Sequence, residues 1–595
     1  MRLCMLIMAS LTVLAAVSAS TAGAADTASQ RIARLASEAR ERWLDLSPVS
    51  ETMGAGAGPR QDRLELMFTD AHRERQREHN RWVLRELDDI PLDALQPSEK
   101  LTHQLLAYQS REGLEWLSFP FHQHYIFIQL GGGVASNLVS LVGRQPFRNE
   151  ADYNAWLRRL KRYPALLDGV AGILRNGLAS NITIPRVIVE RALPQLESLA
   201  PDARDVARSS LWKPVLQYPA AMDAAARRRF ETEYRALLAD EVFPAIRRLA
   251  AFVRTDYLPH ARMTDGIGVL PQGTAMYRLA VKSSTTTDLS PDEIHALGLR
   301  EVERVQVRFL AAGVRAGFKG PLSDFRRWLR DSAENFPFTT GEQVIEHLYR
   351  IHARIVPQLP QLFGRLPKAR FEIRLTDPAI AASTPAQWYP PSDDGTRPGI
   401  FAMPVVNPRN VSSFGLEALL AHEGMPGHHF DGGIKLESDI PEFRRRSWVN
   451  AFGEGWALYA ESLGHELGLY DEPLALLGRY SYELFRACRL VVDTGLHAKD
   501  WTRERAIRYL VDECGSTGEG ATSEVIRYMA WPGQALGYKI GELTILEIRA
   551  QAEQRLGARF DVRAFHDAFL AEGHLPLSLA RARMAAWVEE QVKKP

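Results

Sequence analysis

The sequence predicts a mainly α fold, two helical lobes around a cleft with a small β-sheet, and three observations carry that expectation. Apolar residues recur at helical spacing through most of the chain, as in "RIARLASEARERWLDL" and "ADYNAWLRRLKRYPALLDGVAGIL". A polar stretch, "KSSTTTDLSPDEIHALGL", interrupts that pattern near residue 288. Strand-like alternation is confined to two neighbouring segments, "RFEIRLTD" and "GIFAMPVV". At 595 residues and 46% hydrophobic content, the chain has the material for a large core. Its 73 basic and 72 acidic residues nearly cancel, so charge gives no ground for a nucleic-acid partner.

Residues 1–25 read as a signal peptide. A basic residue at Arg2, an apolar run and a small-residue end with Ala22 and Ala24 predict export to the periplasm or medium, with cleavage near Ala24 or Ala25. Cys4 lies too early, among the wrong neighbours, for a lipid-attachment box. No later segment approaches the roughly 18 apolar residues of a membrane span. Cys488 and Cys514 remain after cleavage, and their spacing leaves both a bridge and two buried thiols open.

Residues 26–288 are expected to form an N-terminal helical lobe. Gly131, Gly132 and Gly133 within it lack the Lys-Ser/Thr of a phosphate loop, so they predict a turn. A second lobe, 289–595, is expected to begin where Ser290 caps a helix with Pro291 at its first position and Glu293 reaching back. Thr340 and Gln343 repeat the device. The alternation of Phe371, Ile373 and Leu375 then places the sheet just before "AHEGMPGHHF" at 421–430, where a sheet edge can hold an extended chain.

That segment starts as a His-Glu-x-x-His zinc helix, yet Pro426 occupies the place of the second histidine. In a straight helix His428 would lie about 120° from the face of His422, and His429 would share the face but lie roughly 10 Å away. Pro426 removes the amide that would bond the carbonyl of His422, and Gly427 opens backbone angles closed to other residues. A helix break after Gly424 is therefore expected, turning His428 back toward His422 to hold a metal. His429 stays open as a rival ligand or as a supporting group. By contrast, "HELGLY" at 465–470 has no following histidine and predicts a surface ion pair.

Two further elements supply partners. In "GEGWALYAE", Glu454 and Glu461 share one helical stripe; Glu454, flanked by Gly453 and Gly455, is the expected third ligand, and Glu461 the group that orients a ligand histidine. In "RACRLVVDTGLHAKDW", Arg486, Arg489, Asp493 and His497 form a polar stripe on an apolar helix. A salt-bridge ladder is one reading of it. The other has His497 donating to a developing oxyanion while Asp493 sets its tautomer.

At these motifs, together with "IRYMAWPGQALGYKIG" at 526–541, the chain resembles the bacterial family called domain of unknown function 885, over most of its length and most specifically from about 290 to 580. That family looks like a distant helical branch of the zinc peptidases that use two histidines and a glutamate. The resemblance implies His422, His428 and Glu454 as ligands of Zn2+, with Glu423 as general base. It also makes Tyr538 an oxyanion donor, with Tyr528 a second phenol facing the substrate, and Arg527 or Lys539 the cation expected to hold a peptide carboxylate.

The functional expectation is an exported zinc peptidase acting on short peptides. Its rivals are a zinc amidase acting on non-peptide or modified-peptide amides, and a non-catalytic helical binding protein with a structural metal. A closed four-ligand site would favour the last.

Overall fold

The computed structural model describes residues 26–594 apart from 55, 57, 120–132, 382, 383, 393 and 394. The signal-like segment 1–25, its cleavage position, and Gly131 and Gly132 therefore lie outside the described residues. The remainder is mainly helical with one three-stranded sheet, as the periodicity predicts.

Near the start, α1 (Ala28–Leu46), α2 (Asp70–Asp88) and α3 (Pro97–Leu117) close over a local apolar cluster that includes Ile32, Leu35, Val83, Leu87 and Leu106. Further on, α4 (Gly273–Thr285) leads into α5 (Pro291–Arg315), whose N-terminus carries the expected reciprocal cap between Ser290 and Glu293. The same cap, built from Thr340 and Gln343, opens α6 (Gly341–Ile355). Each satisfies amides that the first helical turn leaves without partners. The main apolar core takes residues from both sides of position 288, among them Leu249 and Val305.

The sheet consists of β1 (Phe371–Leu375), β2 (Gln387–Tyr389) and β3 (Gly399–Met403) in the order β1-β3-β2. β1 runs parallel to β3 with Ile373 opposite Phe401, and β2 runs antiparallel to β3 with Trp388 opposite Phe401. Sequence reading finds β1 and β3 but not β2, because three residues are too few to show a period of two. Ile373 and Phe401 are buried and fix the register, since a slip by one residue would turn them outward.

Beyond the sheet come α7 (Leu416–Glu423), α8 (His428–Leu436), α9 (Asn450–Ser462), α10 (Pro473–Ala498), α11 (Gly518–Ala530) and α12 (Gly537–Leu556). α9 crosses α12 at Gly455 and Gly541, where a Cβ on either residue would meet the backbone of the other helix. That close approach fixes where Glu454 sits. Cys488 of α10 and Cys514 are joined in a disulfide, which decides the pairing left open by spacing. Among the described residues no helix is long and apolar enough to cross a membrane.

Candidate metal centre

The helix carrying His422 stops at Glu423, one residue before the break expected from the sequence, with Gly424 as its C-cap. The amide of Gly424 still donates to Leu420 O at 2.8 Å, and the carbonyl of Gly424 accepts from His429 N and Phe430 N at 3.1 and 3.3 Å. The chain thus turns across Met425–Pro426, whose peptide is cis, and a new helix begins at His428. Trp456 of α9 holds the turn from beneath, its indole N–H donating to Pro426 O at 2.9 Å. A Cβ at Gly427 would collide with the carbonyl oxygens of Ala421 and His422, so only glycine fits there.

The break returns His428 to the face of His422, with ring centroids 4.8 Å apart and planes nearly perpendicular. Glu454, carried in from α9, places Oε2 3.5 Å from His422 Nε2 and 3.4 Å from His428 Nε2. One ligand atom from each of the three residues lies within 4.8 Å of the other two. Oε2 of Glu454 is buried and accepts no hydrogen bond from the described residues. Such an atom costs free energy unless something completes it. Two imidazole nitrogens and one carboxylate oxygen converging at an uncompensated buried oxygen fit a divalent transition metal, and zinc by donor type.

Glu461 takes the orienting place expected of it. Fully buried, it accepts from Nδ1–H of His422 at 2.9 Å, which fixes the tautomer and leaves Nε2 for the cluster. Arg486 of α10 stands 3.6 Å from the same carboxylate oxygen. Although burial opposes its ionisation, Arg486 and His422 hold the Glu461 carboxyl below the usual range.

Glu423 lies beside the cluster and lines the same cavity. Burial raises its carboxyl to about 7; His428 opposes the rise, the nearby charge of Glu454 adds to it, and the backbone amide of Trp388 favours the charged form. The cavity measures about 830 Å3 and is lined by His422, Glu423, His428 and Glu454 together with the β2 edge at Gln387 and Trp388. Tyr538 lines it as well, its ring parallel to that of His422 at 6.2 Å. Burial first, and then the charge of Glu454, push the Tyr538 phenol up, so it is a donor at neutral pH.

Several expected roles are corrected by the structure. His429 faces away from the cluster: it lies against Phe371, with Nε2 at 3.2 Å from Ala369 O, and ties α8 to the sheet. His497 is not an oxyanion donor, because its Nδ1 accepts from Ile267 N at 3.1 Å and its Nε2 donates to Tyr528 O at 3.0 Å, away from the cavity. Burial lowers its imidazole to about 3, which keeps it neutral. Nor does Asp493 hold His497; it accepts from Tyr277 Oη at 2.6 Å and from Gly533 N at 3.0 Å. Lys539 cannot reach a substrate, being fully buried with Nζ 2.8 Å from Glu483 and 2.6 Å from Glu542. Tyr528 is buried outside the cavity lining, where its oxygen accepts from Arg489 Nε at 3.2 Å. Arg527 does line the cavity.

Sequence reading also passes over groups that the fold brings in. Trp448 lies 5.7 Å from the His428 ring and Trp388 lies 6.3 Å from it, two aromatic walls from segments without a periodic signal. Glu524 sits between Arg489 and Arg527, and its place three residues before Arg527 on α11 is the one local sign that it has a partner.

Over residues 48–584 the chain matches the family described as "Bacterial protein of unknown function (DUF885)". No curated protein matches it. Among solved structures it is similar to a protein of Colwellia psychrerythraea described as a candidate lipoprotein, at 27% identity and a TM-score of 0.88, over 95% of this chain and 100% of that one. A candidate lipoprotein of unknown function from Shewanella oneidensis shares the fold, at 19% identity and a TM-score of 0.71, over 94% of this chain and 100% of that one.

Proposed function

The chain belongs to the bacterial family of unknown function DUF885, and from the site it carries we propose that it is an exported zinc-dependent peptidase acting on short peptides. The observation that carries this reading is the convergence of His422, His428 and Glu454 at one end of a cavity into which Glu423 also opens. Zinc, when bound by those three residues, would supply a Lewis acid that polarises a peptide carbonyl and makes water a better nucleophile at neutral pH.

The remaining work falls to the chain's own groups. Glu423, raised by burial to about 7, takes a proton from water as the water oxygen adds to the carbonyl carbon. When the C–N bond breaks, the same proton passes to the departing nitrogen, leaving an acid and an amine. Tyr538, held protonated by burial, donates toward the carbonyl oxygen as negative charge develops on it. The edge of β2 offers backbone groups to an extended peptide, and Trp388 and Trp448 exclude water from its flanks.

Two features favour catalysis over a structural metal. With His429 turned to Ala369, the cluster has three protein ligands among the described residues, which is the count of an open site. A structural site also has no use for a buried carboxyl such as Glu423 beside its ligands. Export is supported by the signal-like start of the sequence and by the likeness to a candidate lipoprotein.

The test is zinc content together with cleavage of a mixed peptide library, with and without a chelator. We expect about one zinc per chain in both the unaltered protein and Glu423→Gln, with chelator-sensitive hydrolysis lowered by about 10²- to 10⁴-fold in the variant. Unchanged hydrolysis by Glu423→Gln would remove the assigned base. A zinc-loaded protein that cleaves nothing in the library would remove the peptidase reading.

A further inference from the structure

We propose that Arg489 and Arg527 bind the C-terminal carboxylate of the peptide, so that cleavage releases one to three residues from the C-terminal end. This rests on the peptidase reading for the bond that is cut, but not for the binding of the carboxylate.

Arg489 Nη2 and Arg527 Nη2 approach the same oxygen of Glu524, at 3.2 and 2.9 Å, and no second carboxylate pairs with either among the described residues. Two guanidinium groups thus share one anion in a pocket where their side chains are only 8% and 16% exposed. A buried surplus of positive charge is costly without a partner. Its neighbour Arg486 differs, because Glu461 stands opposite it. Elsewhere, Arg304, Arg479 and Lys539 meet Glu301, Glu483 and Glu542, three charges against three. At this wall of the cavity, by contrast, two cations share one carboxylate.

Arg489 also offers a vacant donor. Nη1 of Arg489 is buried and has no hydrogen-bond partner, and Arg489 lines the cavity. The rest of its guanidinium is fixed: Nε donates to Tyr528 Oη at 3.2 Å, and the group lies 4.4 Å over the Tyr538 ring. Arg527 is fixed likewise through Nη1 to Gln534 Oε1 at 2.8 Å. Planar groups held in this way match a carboxylate and lose little freedom on binding it.

The two arginines also lie within reach of a short peptide held at the metal ligands. From the ring of His422 to that of Tyr538 is 6.2 Å, and from there to the Arg489 guanidinium is 4.4 Å. Extended peptide spans about 3.3–3.6 Å per residue, so the guanidinium lies within roughly three residues of the metal ligands. A carboxylate anchored there puts one of the last three peptide bonds at Glu423.

The experiment titrates Ala-Phe-Ala and its C-terminal amide into zinc-loaded Glu423→Gln by calorimetry. We expect the free acid to bind at least about tenfold more tightly than the amide. In Glu423→Gln carrying Arg489→Gln or Arg527→Gln, the difference should fall below about twofold, with Arg489→Lys restoring part of it. Thermal melts confirm that each variant is folded, and the two arginine variants stand in for one another if one is not. Equal affinity for acid and amide, absence of binding by both at millimolar concentration, or a preference untouched by both arginine variants would overturn the proposal. Because binding is read in a protein without its base, failure of hydrolysis in the unaltered protein counts against the peptidase reading alone.

Discussion

Two regions of this molecule present buried histidines and carboxylates on helices, and they end differently. At the α7–α8 break and α9, His422, His428 and Glu454 converge, leaving Glu454 Oε2 buried without a donor. Toward the end of α10, His497 and Asp493 are buried as completely, yet each finds its partners in backbone amides, a carbonyl and Tyr277. Residue type and burial do not tell the two apart. What separates them is whether the fold completes their hydrogen bonding, since a fully satisfied polar group has no atom left for a ligand, and Glu454 Oε2 is an atom left over in this way.

The comparison breaks most sharply at the second histidine. His428→Ala should abolish stoichiometric zinc binding by mass spectrometry or atomic absorption, whereas His429→Ala should keep it and lower thermal stability instead. Zinc loss in both variants would mean that the turn, rather than the ligand, is being read.

Next in size is the satisfied region. Asp493→Ala strands the Tyr277 hydroxyl and the Gly533 amide in the core, which should cost about 2–4 kcal/mol in denaturant unfolding. Zinc stoichiometry should stay at one. A loss of zinc without a loss of stability would erase the distinction between the regions.

Glu461→Gln sharpens the boundary, because Glu461 belongs to the cluster only through His422. Zinc affinity should fall by about 10- to 100-fold in competition with a chelating dye, and the stoichiometry at saturation should be unchanged.

The smallest effect concerns pH. Burial opposes ionisation of Glu524, but Arg527 and Arg489 outweigh it and lower the carboxyl to about 2. A carboxyl depressed on folding adds stability above its unfolded value near 4.5, and that stability is lost as pH falls from 4.5 toward 2. The upper bound is about 3 kcal/mol, reduced by solvent because the side chain is 23% exposed. Thermal melts of Glu524→Gln should show a shallower fall over that range than the unaltered chain. Parallel curves would place the acid sensitivity elsewhere.

Legibility from sequence follows the range of the interaction. The caps at Ser290 and Thr340, strands β1 and β3, and the break between Glu423 and His428 are set by residues within a few positions of one another. Glu454 is legible at longer range because its flanking glycines announce a close helix crossing, which Gly455 makes with Gly541. His497 and Asp493 mislead because a polar stripe on an apolar helix does not disclose what lies across from it. Their partners, Ile267, Tyr277, Tyr528 and Gly533, come from two distant stretches, 267–277 and 528–533.

By itself, then, the sequence determined the helical architecture, the site of the helix break and the residue types able to hold a metal, because each depends on local backbone chemistry. Pro426 removes a helical hydrogen bond and Gly427 opens backbone angles closed to other residues, so a kink or break there is favoured in any environment. Only the tertiary structure decided that His428 and not His429 faces His422, that Lys539 lies in a balanced ion cluster, and that Arg489 and Arg527 share a single carboxylate. Those outcomes depend on which donors and charges arrive from distant segments, and burial makes each missing or surplus partner count.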